Sequence, residues 1–221
     1  VNGASLEVVS RGSGPPLVLV HGSGSDHRTR EEQREILGDR FRVVTYSRRY
    51  HWPNEEIDPG GTYSLDEHVD DLLALLHRLQ ARPARLVGHS YGGLVALLAT
   101  ARSPVAIADL VLVEPPVTGL FLRVPPPLRE LLKLALRRPR TALAIAALGT
   151  RALEPAAAAL ERGDEEEAMR LLGEGTLGAE TYRRLSPERR RQVRDNLILE
   201  ELRSPEAMPV LDPEEIRSVT C

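Results

Sequence analysis

The chain of 221 residues has a single cysteine, Cys221, and a single lysine, Lys133, among its 29 basic residues. One cysteine excludes an internal disulfide framework and a zinc ribbon, and it points to a reducing compartment, the cytoplasm. The scarcity of lysine reflects coding bias rather than function, because arginines and acids are interspersed and the net charge is −3. That balance gives no electrostatic reason to bind nucleic acid or an anionic membrane. The most apolar run, TALAIAALG at 141–149, falls far short of the roughly 20 residues of a spanning helix. No basic-then-apolar signal sequence opens the chain. There is no G-K-[ST], and the glycine clusters GSGPPL and GSGSDH lack the third glycine of a dinucleotide fingerprint. No cofactor and no metal are expected. The most consequential shortage is histidine: the last of six is His89, and 132 residues follow it.

What the chain does have is an alternation of strand and helix signals. SLEVVSR (5–11) is a candidate edge strand, and PPLVLVHG (15–22) is a β-branched run suited to a strand buried on both faces. EEQREIL (31–37) suggests a helix and FRVVTYS (41–47) a second buried strand. SLDEHVDDLLALLHRLQ (64–80) opens with the capping-box pair Ser64 and Glu67 and continues at helical spacing. ARLVGHS (84–90), YGGLVALLATAR (91–102) and ADLVLVEPP (108–116) read as strand, helix and strand. This pattern predicts an α/β fold, a doubly wound and mostly parallel sheet. After Pro116 the signals become helical, punctuated by proline and glycine. The expected organisation is a core over 1–116, an all-helical cap over 117–205, and a return segment over 206–221. Within the cap, the run Arg189–Arg191 reads as a solvated helix face.

Chemistry concentrates in GHSYG (88–92), a G-x-S-x-G motif. Small residues around Ser90 permit a tight strand-to-helix turn that lifts its hydroxyl above the sheet edge, with the Tyr91 N–H facing the same spot. The helix N-terminus adds positive potential where an oxyanion would form. An incidental serine in a tight turn is the alternative; the buried strand before and the apolar helix after favour a nucleophile. Upstream, VLVHGSGSD (18–26) runs from a strand into His21-Gly22. Gly22 allows close backbone approach, and the Ser23 N–H is a candidate second oxyanion donor.

These segments, PPLVLVHGSGSD, FRVVTYSRRYHWPN, LVGHSYGG and ADLVLVEPP, resemble in order and spacing the α/β-hydrolase fold superfamily, from about Leu6 to Pro116. The resemblance implies Ser90 as nucleophile, with the Tyr91 and Ser23 N–H groups as oxyanion hole. Ser47 stands where family members often carry a non-catalytic Asp. In the family, two further core strands follow the cap and deliver the acid and the histidine. IRSVTC (216–221) resembles the segment leading into the first of them, so the expectation is a chain truncated at its C-terminus.

Other residues remain open. His21 is read as orienting the oxyanion loop. His27, His51 and Trp52, with His21 and Gly22, are pocket candidates, whereas His68 and His77 are surface or packing residues. His89 adjoins the serine but leaves the elbow in another direction. Glu114 is either a polar strand end, the triad acid or a pocket residue. The expected function is a serine hydrolase acting by acyl transfer on a small, largely apolar, ester-like substrate, nearly inactive without its histidine. A non-catalytic ligand-binding relative and one part of a split enzyme are the alternatives, the latter completed by a C-terminal segment.

Overall fold

The β-branched runs become strands, in a computed structural model that describes residues 1–58, 60–123 and 126–219. Five of them, β1 (Val8–Arg11), β2 (Pro16–Val20), β3 (Arg42–Tyr46), β4 (Ala84–His89) and β5 (Ile107–Val113), form one sheet in the order β1-β3-β2-β4-β5. β1 pairs antiparallel with β3, and all other pairings are parallel. The register places Val18 beside Val44 on one side and Leu86 on the other. Helices α1 (Glu31–Leu37), α2 (Leu65–Arg78) and α3 (Tyr91–Arg102) make the crossovers between successive parallel strands.

Alternation along the strands sorts the core into two faces. Val18, Val20, Val44 and Leu86 face α2 and α3, which contribute Leu65, Val69, Leu72, Leu76, Leu94 and Val95. Leu17, Leu19 and Val43 face the opposite way, toward Leu37 and Phe41. The sequence between β2 and β3 goes to one side of β2, and β4 returns on the other. The carboxyl ends of β2 and β4 therefore flank the point where strand order reverses, the usual place for a site in such a sheet.

β5 is one of the two sheet edges among the described residues, β1 being the other, and Val111, Leu112 and Val113 are 52%, 36% and 41% exposed there. The strand stops at Val113 because Glu114 adopts φ +50 and Pro115 and Pro116 have no N–H to donate.

Beyond β5 the described regular elements are all helical: α4 (Leu128–Arg137), α5 (Pro139–Leu148), α6 (Glu154–Glu161), α7 (Glu165–Leu177), α8 (Ala179–Arg183), α9 (Pro187–Arg194), α10 (Leu199–Arg203) and α11 (Pro213–Arg217), with short tight turns between some of them. Three expectations are corrected here. The Ser64 side chain makes no capping hydrogen bond, so the capping box does not form. Arg189 is not a solvated residue: its guanidinium reaches Ser25 Oγ at 2.9 Å and Gln192 Oε1 at 2.6 Å. Finally, the apolar run at 141–149 is part of a longer helix. α5 and α6 join through a wide turn at Gly149–Leu153, and the resulting helix, Pro139–Glu161, is long and apolar enough by length and composition to cross a membrane. Its apolar character comes largely from alanine, and few of its residues are buried.

Candidate active site

β4 ends at His89, α3 starts at Tyr91, and Ser90 alone makes the turn, with φ 51 and ψ −127. A non-glycine residue in that region carries strain of about 1–3 kcal/mol and persists only where its surroundings hold it. Here the Ser90 N–H donates to Val113 O at 2.8 Å, while Ser90 O accepts from the N–H groups of Gly93 and Leu94 at 2.8 and 3.2 Å. Two glycines permit the close packing behind the turn. A Cβ on Gly88 would stand 2.6 Å from both Gly92 O and Gly93 Cα, and one on Gly92 would stand 2.3 Å from His21 O. A methyl group at either position has no room.

Gly22 serves a different contact. A Cβ there would lie 2.9 Å from Ser90 Cβ and 3.0 Å from His89 O. The loop after β2 is thus pressed against the elbow, and Ser23 follows directly. α3 has no side-chain cap at its N-terminus, so the N–H groups of Tyr91 and Gly92 remain available. Ser90 is partly buried, and its hydroxyl makes no hydrogen bond among the described residues.

Beside this elbow lies a buried polar cluster. His21 is 1% exposed; its Nε2 accepts from the Arg48 N–H at 2.9 Å and its Nδ1 lies 2.8 Å from Gly22 O. An acceptor Nε2 requires the proton on Nδ1, which then donates to Gly22 O and orients that loop. Arg48, also 1% exposed, donates from Nε to His21 O at 3.1 Å and from Nη1 to the Tyr63 hydroxyl at 2.7 Å. Its Nη2 has no partner. His51 sits 2.8 Å from Ser25 O and 3.1 Å from the Tyr63 hydroxyl. His68 packs on Tyr63 with ring centroids 4.5 Å apart, and both of its ring nitrogens, like the Tyr91 hydroxyl, lack partners. Burial, reinforced by the Arg48 charge, holds the pKa values of His21, His51 and His68 well below the ordinary imidazole range. Burial likewise pushes the Tyr63 and Tyr91 hydroxyls up.

The predicted site residues divide by location. Ser90, Tyr91, Gly22, Ser23 and His21 come together at the carboxyl ends of β2 and β4, with His51 behind them. His27 and Trp52 lie apart from this group: they stack at 5.8 Å, Arg28 covers Trp52 at 3.7 Å, and the Trp52 N–H donates to Asn196 Oδ1. They belong to the contact between the 1–116 segment and the helices. Glu114 is exposed at the end of β5, without a hydrogen bond among the described residues. His89 turns toward Gly22, whose Cβ position is 3.4 Å from its Nδ1, and no hydrogen bond joins it to Ser90. His77 is exposed and His68 is a packing residue.

Two residues in this region were not singled out from sequence. Arg48 lies inside a quoted segment, SRRY, but nothing in that pattern separates it from its neighbour Arg49. Glu201, on α10, receives the Ser23 hydroxyl; in an Arg/Glu-rich helix no local signal distinguishes it from a solvated acid.

The comparisons agree with this geometry. The model of the "Alpha/beta hydrolase family" matches residues 17–215. The uncharacterized hydrolase YraK of Bacillus subtilis is 33% identical over 115 residues, 52% of this chain and 42% of the relative. The 2-(acetamidomethylene)succinate hydrolase of Mesorhizobium japonicum is 30% identical over 110 residues, 50% of this chain and 39% of the relative. The match thus spans about two-fifths of each relative's length. An α/β hydrolase structure from Sphaerobacter thermophilus superposes on 99% of this chain and 76% of its own, with a TM-score of 0.64 at 22% identity. With a family match covering most of its length, an elbow at Ser90 and a sheet that reverses order beside it, this chain belongs to the alpha/beta hydrolase family.

Proposed function

We propose that this chain forms the core (1–116) and helical cap (117–205) of a serine hydrolase, with 206–221 returning toward the core. Ser90 is the nucleophile, and the Tyr91 and Ser23 N–H groups stabilise the oxyanion of an acyl-transfer intermediate. The substrate is a small, largely apolar, ester-like molecule, and the single cysteine fits a cytoplasmic setting. The observation that carries this reading is the strained backbone of Ser90, held with Gly22 against it. Strain of this kind concentrates where a side chain must be displayed.

Attack by the Ser90 hydroxyl on the carbonyl requires a base to take its proton. None of the described side chains hydrogen-bonds to that hydroxyl. A complementing C-terminal segment, pairing at the open β5 edge, supplies the base in this reading. Glu114 stands at that edge and is retained as a candidate for the acid. Without a base the oxyanion hole alone sustains a residual acceleration of roughly 10³-fold over water.

A fluorophosphonate probe tests the assignment on the intact chain. Labelling is expected to be slow, to accelerate when imidazole is added as an external base, and to vanish in Ser90→Ala. Labelling that persists in Ser90→Ala overturns the assignment.

A further inference from the structure

Glu201 is carried by α10, a short helix on the outer segment, yet its side chain is only 7% exposed. Its carboxylate receives the Ser23 hydroxyl, and the Tyr63 hydroxyl supports its charged form. Glu201 Oε2 lies 3.9 Å from His51 Nε2, on a ring that burial keeps neutral. Arg48 stands behind this group, fully buried, with Nη2 unpartnered and Glu201 among the charges that favour its protonated form. The Glu201 charge also adds to the burial that pushes the Tyr91 hydroxyl up.

The division of these groups is informative. Ser23, Tyr63, His51 and Arg48 all lie within residues 1–116, and the acid alone comes from the helical segment. Two hydroxyls in front of a buried guanidinium are a receptor for a carboxylate: they donate hydrogen bonds and supply the compensating charge. Burial nevertheless pushes the Glu201 carboxyl up, so its charge is held there at a desolvation cost. A small carboxylate from solution could satisfy the same donors.

We infer that Ser23, Tyr63 and Arg48 form a carboxylate-binding subsite beside Ser90, filled in this structure by the chain's own Glu201. Ester-like substrates that are otherwise largely apolar but bear one free carboxylate near the reacting carbonyl displace Glu201 and occupy it. The inference rests on the hydrolase reading only for the word substrate; the receptor itself is independent of whether Ser90 reacts. Two carboxylates cannot share the subsite without one protonating. Entry of the substrate therefore moves Glu201, and with it α10, away from Ser23.

Glu201→Ala empties the subsite, and thermal unfolding in acetate against the same concentration of chloride reads its occupancy. At about 100 mM acetate, a ligand of millimolar affinity stabilises the folded state measurably by mass action. Glu201→Ala should unfold at a higher temperature in acetate than in chloride. The wild-type chain and Glu201→Gln, whose subsites are full, should show no difference, and the added substitution Ser23→Ala should reduce the response of Glu201→Ala. Equal melting of Glu201→Ala in both salts overturns the proposal. So does failure of that variant to fold in either salt, or an acetate response equal in the wild-type chain. Loss of fluorophosphonate labelling would not alter these outcomes, so failure of the Ser90 assignment and failure of the subsite remain distinguishable.

Discussion

Asn196 Nδ2 donates to Asp26 Oδ2 at 2.9 Å, tying the turn after α9 to the loop after β2 across 170 residues of chain. Gln192 Nε2 donates to the other oxygen of Asp26 at 2.7 Å, and Arg28 Nη2 completes the set at 2.6 Å. Burial opposes the Asp26 charge, but the hydrogen bonds from Arg28, Gln192 and Asn196 outweigh it and hold the carboxyl below its usual range. Removing the acid strands two buried donors, on Gln192 and Asn196, and takes the main partner from the partly exposed Arg28. Asp26→Ala is therefore expected to cost about 3 kcal/mol, as for breaking a buried charged network. The urea midpoint reads that loss, and limited proteolysis should cut first near α9. An unchanged midpoint would show that the helices are held by other contacts.

The elbow makes a second prediction, which depends on backbone rather than chemistry. A methyl group at Gly92 would meet His21 O at 2.3 Å and Val20 O at 2.5 Å, neither of which can rotate away. Gly92→Ala should push the start of α3 off β2 and destabilise the fold by about 3 kcal/mol or more. Gly163 has φ +76 with nothing within 4 Å of a Cβ, so Gly163→Ala strains only the backbone. Its loss should be near 1 kcal/mol. Equal melting temperatures for the two variants would contradict the packing argument.

Acid sensitivity follows from the buried imidazoles. Burial holds His21, His51 and His68 neutral in the folded chain, whereas in the unfolded chain they titrate near pH 6.5. Below that pH the unfolded state binds protons that the folded state refuses, so stability is full above about pH 6.5 and falls as pH drops. Glu201 acts oppositely: its raised pKa means the folded state takes up its proton first, which offsets part of the loss. His68 has no partner on either ring nitrogen, which makes it the cleanest probe. His68→Leu should lose little at pH 7.5. It should also flatten the slope of unfolding free energy between pH 6.5 and 5.5 by up to about 1.4 kcal/mol per pH unit, one proton's worth. An unflattened slope would mean that His68 is protonated in the folded chain.

The parts of this molecule that sequence made visible are those set by local rules. β2 is a continuous β-branched run closing on glycine, α1 and α3 begin and end where their patterns do, and Ser90 is marked by glycines on both sides. The residues that escaped are those whose meaning depends on a partner far along the chain. Asp26 carries no local signal, because the residues that meet its oxygens, Gln192 and Asn196, lie far along the chain. Arg189 looked solvated until Ser25 accepted its guanidinium. The helix Pro139–Glu161 was hidden by Pro155, which lacks an N–H; the wide turn Gly149–Leu153 lies just before it and carries the helix through. Ser64 carried the right residue type for a cap, but its side chain makes no such bond.

All five strands lie between residues 8 and 113, and that placement has a consequence for the order of synthesis. The ribosome finishes the whole described sheet before it makes a single helix of the outer segment. At roughly 5–20 residues per second, several seconds then pass before Gln192 and Asn196 emerge. During that interval Asp26 has only Arg28 for company, and Val111, Leu112 and Val113 stand open along the edge of β5. The nascent chain is most vulnerable to mispairing in that window, when its sheet is already built and the helices that clasp it are still being translated.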